Sequence, residues 1–501
     1  MDDLQIKQIA ILGGGVTGWM SAAYLAQMLG KAVSITLIET QAYDPTSLDT
    51  ITRPAFKAFL ATLGIPEPLL VQRTQGSMSV GGAFVNWGQL GNRCFHPYGQ
   101  YGAEFDIVPL HQWWLKARAE DGDTPDLEAF SLAAAMARDS HFALPSADRQ
   151  MVQSTFDYGF QVDGGRLAQL LAAHASTLGV VGLTGELAQA ETDGQNGFIR
   201  ALTLADGQRV AADFFIDCTG QQALLLQGAL NVGFEDWSDL LPCDRALVIE
   251  TARGGSFAPC TRNTARAAGW QSRVVLQSKS IATYCFASDQ IDDAAALGDL
   301  MDDVDGKALT APVAIAFTNG RAKQAACKNV VALGGAAGFL EPLEPIGLHM
   351  IQSGLMRLLA LWPDKAFSPV VSDEYSRVTA EEWDSARDFL FLHYHVSTRT
   401  DSDFWRARAA AILPDSLASR LAQWRTCGRW IAPRPEMFGG SSWLSVCVGQ
   451  GLLPDAWDPL ADVRAEQVDY KGRLKSLARA IEDASAAMPS HQDWLDRHAR
   501  A

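Results

Sequence analysis

The sequence predicts an α/β protein built on a parallel sheet, with a β-rich insertion and a mainly helical C-terminal part. Three observations predict it. A glycine-rich turn separates a short apolar run from a helical pattern at the start of the chain. A second apolar run ending in an acidic residue follows about twenty residues on. Two later stretches, Ala212 to Gly220 and Asn329 to Gly338, again run from an apolar strand into a small-residue turn, so the chain is expected to return twice to the same sheet.

The opening run Gln8-Ile9-Ala10-Ile11-Leu12 has the character of a buried parallel strand. The turn after it reads G-x-G-x-x-G at Gly13, Gly15 and Gly18, with Thr17 inside it. Gly13 permits the tight turn, Gly15 lets a pyrophosphate approach the backbone, and Gly18 lets strand and helix pack closely. The phosphates would rest on the free N–H groups of the helix start. Met20, Tyr24 and Met28 share one face of that helix. The second strand, Ser34 to Ile38, ends in Glu39, placed to hold a ribose hydroxyl. A dinucleotide, FAD or NAD(P), is the expectation.

The 501 residues exceed one simple core, and 48% of them are hydrophobic, enough for a large interior. A formal net charge of -16 argues against nucleic acid or an anionic membrane as the main partner. No apolar run reaches the roughly 18 residues that span a bilayer, and Met1-Asp2-Asp3-Leu4 lacks a basic start. The eight cysteines are scattered with no C-x-x-C pair, which suits free thiols in a reducing cytoplasm rather than disulfides or a metal site.

Residues 40–50 read as a polar surface loop or strap, and Pro54 to Gly64 as a short amphipathic helix. Gly81 to Trp87 reads as a strand, Asp106 to Ser176 as helical, and Ile199 to Val210 as a hairpin. From Ala246 to Asp289 the pattern is strand-like, the helix Gly347 to Trp362 follows the last return to the sheet, and beyond Asp373 helices dominate. A nucleotide fold assembled from separate pieces, with no second glycine fingerprint, matches the plan of FAD-dependent oxygenases rather than simple dehydrogenases. The expected division is residues 1–370 for the FAD-binding module, its nucleotide fold drawn from about 1–105, 177–235 and 310–370. Residues 371–501 would cap the substrate pocket.

Specific strings then resemble the flavin-dependent tryptophan halogenases. They are Gly13 to Met20, Asp217-Cys218-Thr219-Gly220, Gly338-Phe339-Leu340-Glu341-Pro342-Leu343-Glu344, His393-Tyr394 with Arg399 to Trp405, and Ser442-Trp443 with Gly449-Gln450-Gly451. The resemblance runs to about Leu460. It implies a Rossmann-like FAD-binding domain of the aromatic hydroxylase type, with Asp217 and Gly338 in the cofactor bowl. It implies a separate flavin reductase that supplies reduced FAD, and a chloride or bromide site at the Ile346 and Gly347 amides. In that family the halide is oxidised to hypohalous acid, which reaches a lysine beside the aromatic substrate. Glu344 would stabilise a ring made cationic by electrophilic attack. His96 and Tyr98 match the pair lining the substrate pocket, and Trp443 is a further candidate. A homodimer is a further expectation, with the amphipathic stretch Ser476 to Ile481 as one surface for it.

Three departures set the chain apart. The family's lysine position falls on Ser79, and no lysine lies between Lys57 and Lys116. The W-x-W-x-I-P signature falls on Trp270 to Val275, with one tryptophan, the isoleucine and the proline missing. The glycine-rich strap has become Ser47-Leu48-Asp49-Thr50-Ile51-Thr52. A serine hydroxyl neither polarises hypohalous acid as an ammonium does nor forms a haloamine. The expected function is therefore an FAD-dependent monooxygenase-like oxidoreductase acting with reduced flavin and O2 on an indole-, phenol- or pyrrole-like ring. A halogenase working without the lysine and a non-catalytic flavin-binding partner protein remain as alternatives.

Overall fold

The computed structural model describes residues 4–39, 48, 50–102, 105–431 and 436–499. Its first sheet has six strands in the order Ala326–Cys327, Val330–Ala332, Phe214–Asp217, Gln8–Leu12, Ser34–Glu39 and Val181–Thr184. All neighbours are parallel except the first pair. Ile9 to Leu12 are buried on both faces, which is why that run is continuously apolar. The register aligns Leu12 with Ile38 and Asp217, and Asp217 with Ala332. Four strands therefore end in one row, and the turns that follow them line a single edge where α/β sheets bind ligands.

The helix Gly15–Leu29 packs beneath this sheet through Met20 and Tyr24, both buried. Met28 does not join them and is half exposed, because the last turn of the helix leaves the packed face. The helix after Pro54 runs Phe56–Leu63 and stops at Gly64 in the left-handed region. The expected helical stretch from Asp106 to Ser176 is broken into Leu110–Glu120, Leu132–Asp139 and Gly164–Thr177. Between the last two, Gly159–Gln161 forms a strand antiparallel to Ser77–Ser79. The aromatic alternation Phe156, Tyr158, Phe160 that makes this strand was masked by the helical patterns around it.

A second sheet of seven strands receives the insertion. Arg245–Ala252, Lys279–Phe286, Gly269–Val275 and Thr261–Arg266 form an antiparallel series. Gly81–Val85 then adds parallel to Thr261–Arg266, with Arg93–Pro97 antiparallel beyond it. The C-terminal part lays helices across this sheet, led by the 27-residue helix Pro369–His395 and by Gly440–Gly449. The helix Tyr470–Ala486 buries Leu474 and Ile481 within its own chain. Among the described residues no helix is long and apolar enough to cross a membrane.

Candidate active site

The glycine turn forms a backbone cradle. A Cβ on Gly13, whose φ is +104°, would lie 2.2 Å from the Cys218 carbonyl, and one on Gly18 would lie 2.0 Å from the Gly13 carbonyl. Neither position tolerates a side chain, so the turn can close tightly and present the N–H groups of the helix starting at Gly15. Glu39 stands at the end of its strand beside this turn. Its Oε1 accepts a hydrogen bond from Trp19 Nε1 at 2.8 Å, and a Cβ on Gly14 would come within 2.5 Å of the same oxygen. Thr17 packs against Gly334, where a Cβ would meet its hydroxyl at 2.6 Å. Gly338 lines the cleft beyond, together with Gly334, Gly335, Thr50, Ile51 and Trp383. These bare backbone surfaces fit a dinucleotide.

Asp217 differs from its expected role as a cofactor contact. It is fully buried, and its carboxylate accepts from the Thr219 hydroxyl and N–H and from the Leu225 and Leu226 N–H groups. Burial raises its pKa and these donors oppose that rise. The side chain shapes the turn and has no oxygen left for a ligand. The strap residues Ser47 and Asp49 lie outside the described residues.

At the far end of the cleft the turn Glu341–Pro345 leads into the helix Gly347–Ala360 and delivers Glu344 into the interior, 4% exposed. His96 Nδ1 lies 2.8 Å from Glu344 Oε1. His393 Nε2 lies 3.4 Å from the same oxygen without the alignment of a hydrogen bond. Burial alone would raise the Glu344 carboxyl, but the field and hydrogen bond of His96, with His393 close by, hold it down at about 2. His393 is itself pushed down by burial, against the pull of Glu344. An ionised carboxylate therefore sits between two imidazoles in an aromatic niche, with Phe84 stacked on His393 at 4.8 Å.

Ser79 is fully buried at the end of its short strand. Its hydroxyl donates weakly to the Gly81 carbonyl at 3.4 Å and meets the Tyr98 phenol, which burial keeps protonated. Tyr98 is buried beside it and feels the field of Glu344, which His96 contacts. Trp443 belongs to the core: its Nε1 donates to the Phe438 carbonyl, and its ring meets Phe389 at 5.1 Å. The halide-like pair needs correction. The Ile346 N–H already donates to the Glu344 carbonyl at 2.8 Å in the tight turn, so of the two it is Gly347 that presents its amide at the helix start.

Sequence reasoning missed three residues. Arg53 reaches into the niche from the strap side, with its guanidinium 4.5 Å from the Phe438 ring and 5.9 Å from that of Tyr98. His393 belongs to a string that carries the resemblance, yet its contact with Glu344 spans a fold-level gap. His491, in the last helix, accepts the Met78 N–H through Nε2 at 3.1 Å and so braces the Ser79 strand. A lone basic residue in the polar strap was the one available signal for Arg53.

The family model for tryptophan halogenase matches residues 8–466. The chain belongs to the tryptophan halogenase family. Among curated relatives, tryptophan 7-halogenase KtzQ of Kutzneria sp. (strain 744) is 29% identical, with 99% of each chain covered. Among solved structures, BrvH, a flavin-dependent halogenase from Brevundimonas sp. BAL3, is 37% identical at a TM-score of 0.93, with 99% of each chain covered. Xcc4156, a flavin-dependent halogenase from Xanthomonas campestris, is 35% identical at a TM-score of 0.94, covering 99% of this chain and 98% of its own. Tryptophan halogenase family members use FAD reduced by a separate flavin reductase, and the glycine cradle fits that cofactor.

Proposed function

We propose that the chain is an FAD-dependent oxidoreductase acting on an aromatic indole-, phenol- or pyrrole-like substrate, with reduced flavin from a partner reductase and O2. The observation that carries this reading is the buried Glu344 carboxylate held between His96 and His393 at the end of the cofactor cleft. Reduced FAD, when bound, supplies the electrons that activate oxygen.

The chain's own residues then bind and orient the ring. Glu344, ionised throughout the neutral range, opposes positive charge that develops on the ring under electrophilic attack, and in a buried niche that opposition is strong. His393, neutral at the same pH and with both nitrogens unpartnered, can accept the proton that the ring releases. Ser79 offers a hydroxyl where the family has a lysine, so it donates a hydrogen bond without supplying charge.

Product analysis tests the reading. The full chain is incubated with FAD, a flavin reductase, NADH, O2 and a panel of indole, phenol and pyrrole, with and without bromide. Oxygenated product that is indifferent to halide supports it. Haloindole formed at halogenase-like rates refutes it in favour of a second reading, halogenation without the lysine. That alternative is favoured by the 37% and 35% likenesses to two flavin-dependent halogenases.

A further inference from the structure

The site lacks the family's lysine, yet it holds a cation. Arg53 precedes Pro54, the residue that turns the chain into the helix Phe56–Leu63. Its Nη2 donates to the Met437 carbonyl at 2.8 Å, which fixes the plane of the guanidinium. The group lies against the rings of Phe438 and Tyr98 at the distances given above, within reach of cation–π attraction. Nη1 is buried and makes no hydrogen bond. Glu344, the carboxylate whose field reaches Arg53, is committed through Oε1 to His96 and His393.

A buried guanidinium with an unmade hydrogen bond and, among the described residues, no counter-ion paired with it is an uncompensated cost. A ligand that brings an anionic oxygen removes it. The Tyr98 hydroxyl stands near Arg53, and the Ser79 hydroxyl, which donates only weakly to the Gly81 carbonyl, meets that phenol. Guanidinium, phenol and serine together make a group rich in donors, suited to an oxyanion and unsuited to an ammonium. The surroundings fix the rest of the ligand. Phe438 fills a ring-wide slot between Arg53 and Phe389, whose ring is 3.8 Å away and nearly parallel, so a flat aromatic body competes for that slot.

We infer that Arg53, with Tyr98 and Ser79, binds the anionic oxygen of an aromatic substrate that carries a carboxylate or phenolate group. This assignment rests on the proposed reading of the niche as the substrate site. It also gives Ser79 a purpose: a lysine there would set a second cation beside Arg53.

Calorimetric titration of the full chain with benzoate, indole-3-carboxylate and 4-nitrophenolate, each against its neutral counterpart benzamide, indole-3-carboxamide or nitrobenzene, tests it. The wild type is expected to bind at least one anionic probe about tenfold or more tightly over its neutral counterpart. Arg53→Met should erase that preference, Arg53→Lys should keep part of it, and Phe438→Ala should bind the preferred anion at least as tightly as the wild type. FAD affinity should be the same in all four proteins. Equal binding of every pair by the wild type, or a preference undiminished in both Arg53 variants, overturns the inference. If Arg53→Met does not fold, the wild-type pairs and Arg53→Lys still decide. An Arg53-dependent preference in a protein that turns over no aromatic would refute the proposed function alone. Turnover without any such preference would refute this inference alone.

Discussion

Protonation of His491 is expected to loosen the strand that carries Ser79. The imidazole is completely buried, stacked on Phe257 at 4.6 Å, with Nδ1 facing the Phe257 carbonyl at 3.1 Å and Nε2 accepting the Met78 N–H. Burial lowers its pKa from 6.5 to about 4, overcoming the Phe257 carbonyl that favours the charged form. A charged ring would also turn Nε2 into a donor facing another donor. Between pH 6.5 and 4 the unfolded chain therefore binds more protons at this site than the folded one. The stability that neutral His491 contributes is complete above pH 6.5, falls as pH drops toward 4 and levels off below it. Roughly 2.5 units of displacement correspond to about 3 kcal/mol, with a slope approaching 1.4 kcal/mol per pH unit. The assay is urea unfolding of wild type and His491→Gln at pH 7, 6, 5 and 4. Glutamine can still accept the Met78 N–H, so the variant is expected to lose about 1 kcal/mol at pH 7 and, spared the acid loss of about 3 kcal/mol, to exceed the wild type by roughly 2 kcal/mol at pH 4. Parallel curves for the two proteins across that range would refute the assignment of the acid loss to this histidine.

Ser79→Lys is expected to destabilise the fold by about 3 kcal/mol, the order of an uncompensated buried charge; if Arg53 adds to that cost by repulsion, Arg53→Met should return part of the loss in a double-mutant cycle read by chemical denaturation. Glu344→Gln removes the anion between two histidines; product formation should fall by about 100-fold or more with FAD affinity unchanged, and equal rates would exclude the carboxylate from the reaction. Gly18→Ala forces a methyl into the Gly13 carbonyl, so FAD binding measured by fluorescence quenching should be lost along with several kcal/mol of stability. Trp19→Phe releases Glu39 Oε1; it should cost about 1 kcal/mol of stability and change FAD affinity less than Glu39→Ala does.

What could be read from the sequence was whatever is encoded locally or in strings that stay contiguous in the fold. The Gly13–Gly18 turn, the strand ending at Glu39 and the returns at Asp217 and Ala332 each declare themselves within a dozen residues, and the parallel register only had to align their ends. Ser79, Tyr98, His96 and Glu344 were found because family strings carried them there. The misreadings share a different origin. Asp217 and the Ile346 amide lie in motifs that suggested ligand contacts, but their hydrogen-bonding capacity is consumed by neighbours in the same turn, a question of bond accounting that sequence does not answer.

Arg53, His393 and His491 went unread for a further reason: each acquires meaning only through a partner far away in the chain. Arg53 meets Met437 across 384 positions and His491 meets Met78 across 413, contacts created by the C-terminal helices closing over the sheet. The same closure sets the Arg53 guanidinium against the rings of Phe438 and Tyr98. Ser79 itself brings no charge to the niche. In the folded chain a positive charge is supplied instead by Arg53, which follows the strap. A guanidinium there is held by a carbonyl and two rings rather than by a carboxylate, so it remains available to a ligand, and Glu344 remains free to pair with histidine. Lysine at residue 79 and arginine at residue 53 are thus competing ways of placing one charge in one small buried volume. A chain that adopts the second is under electrostatic pressure to give up the first.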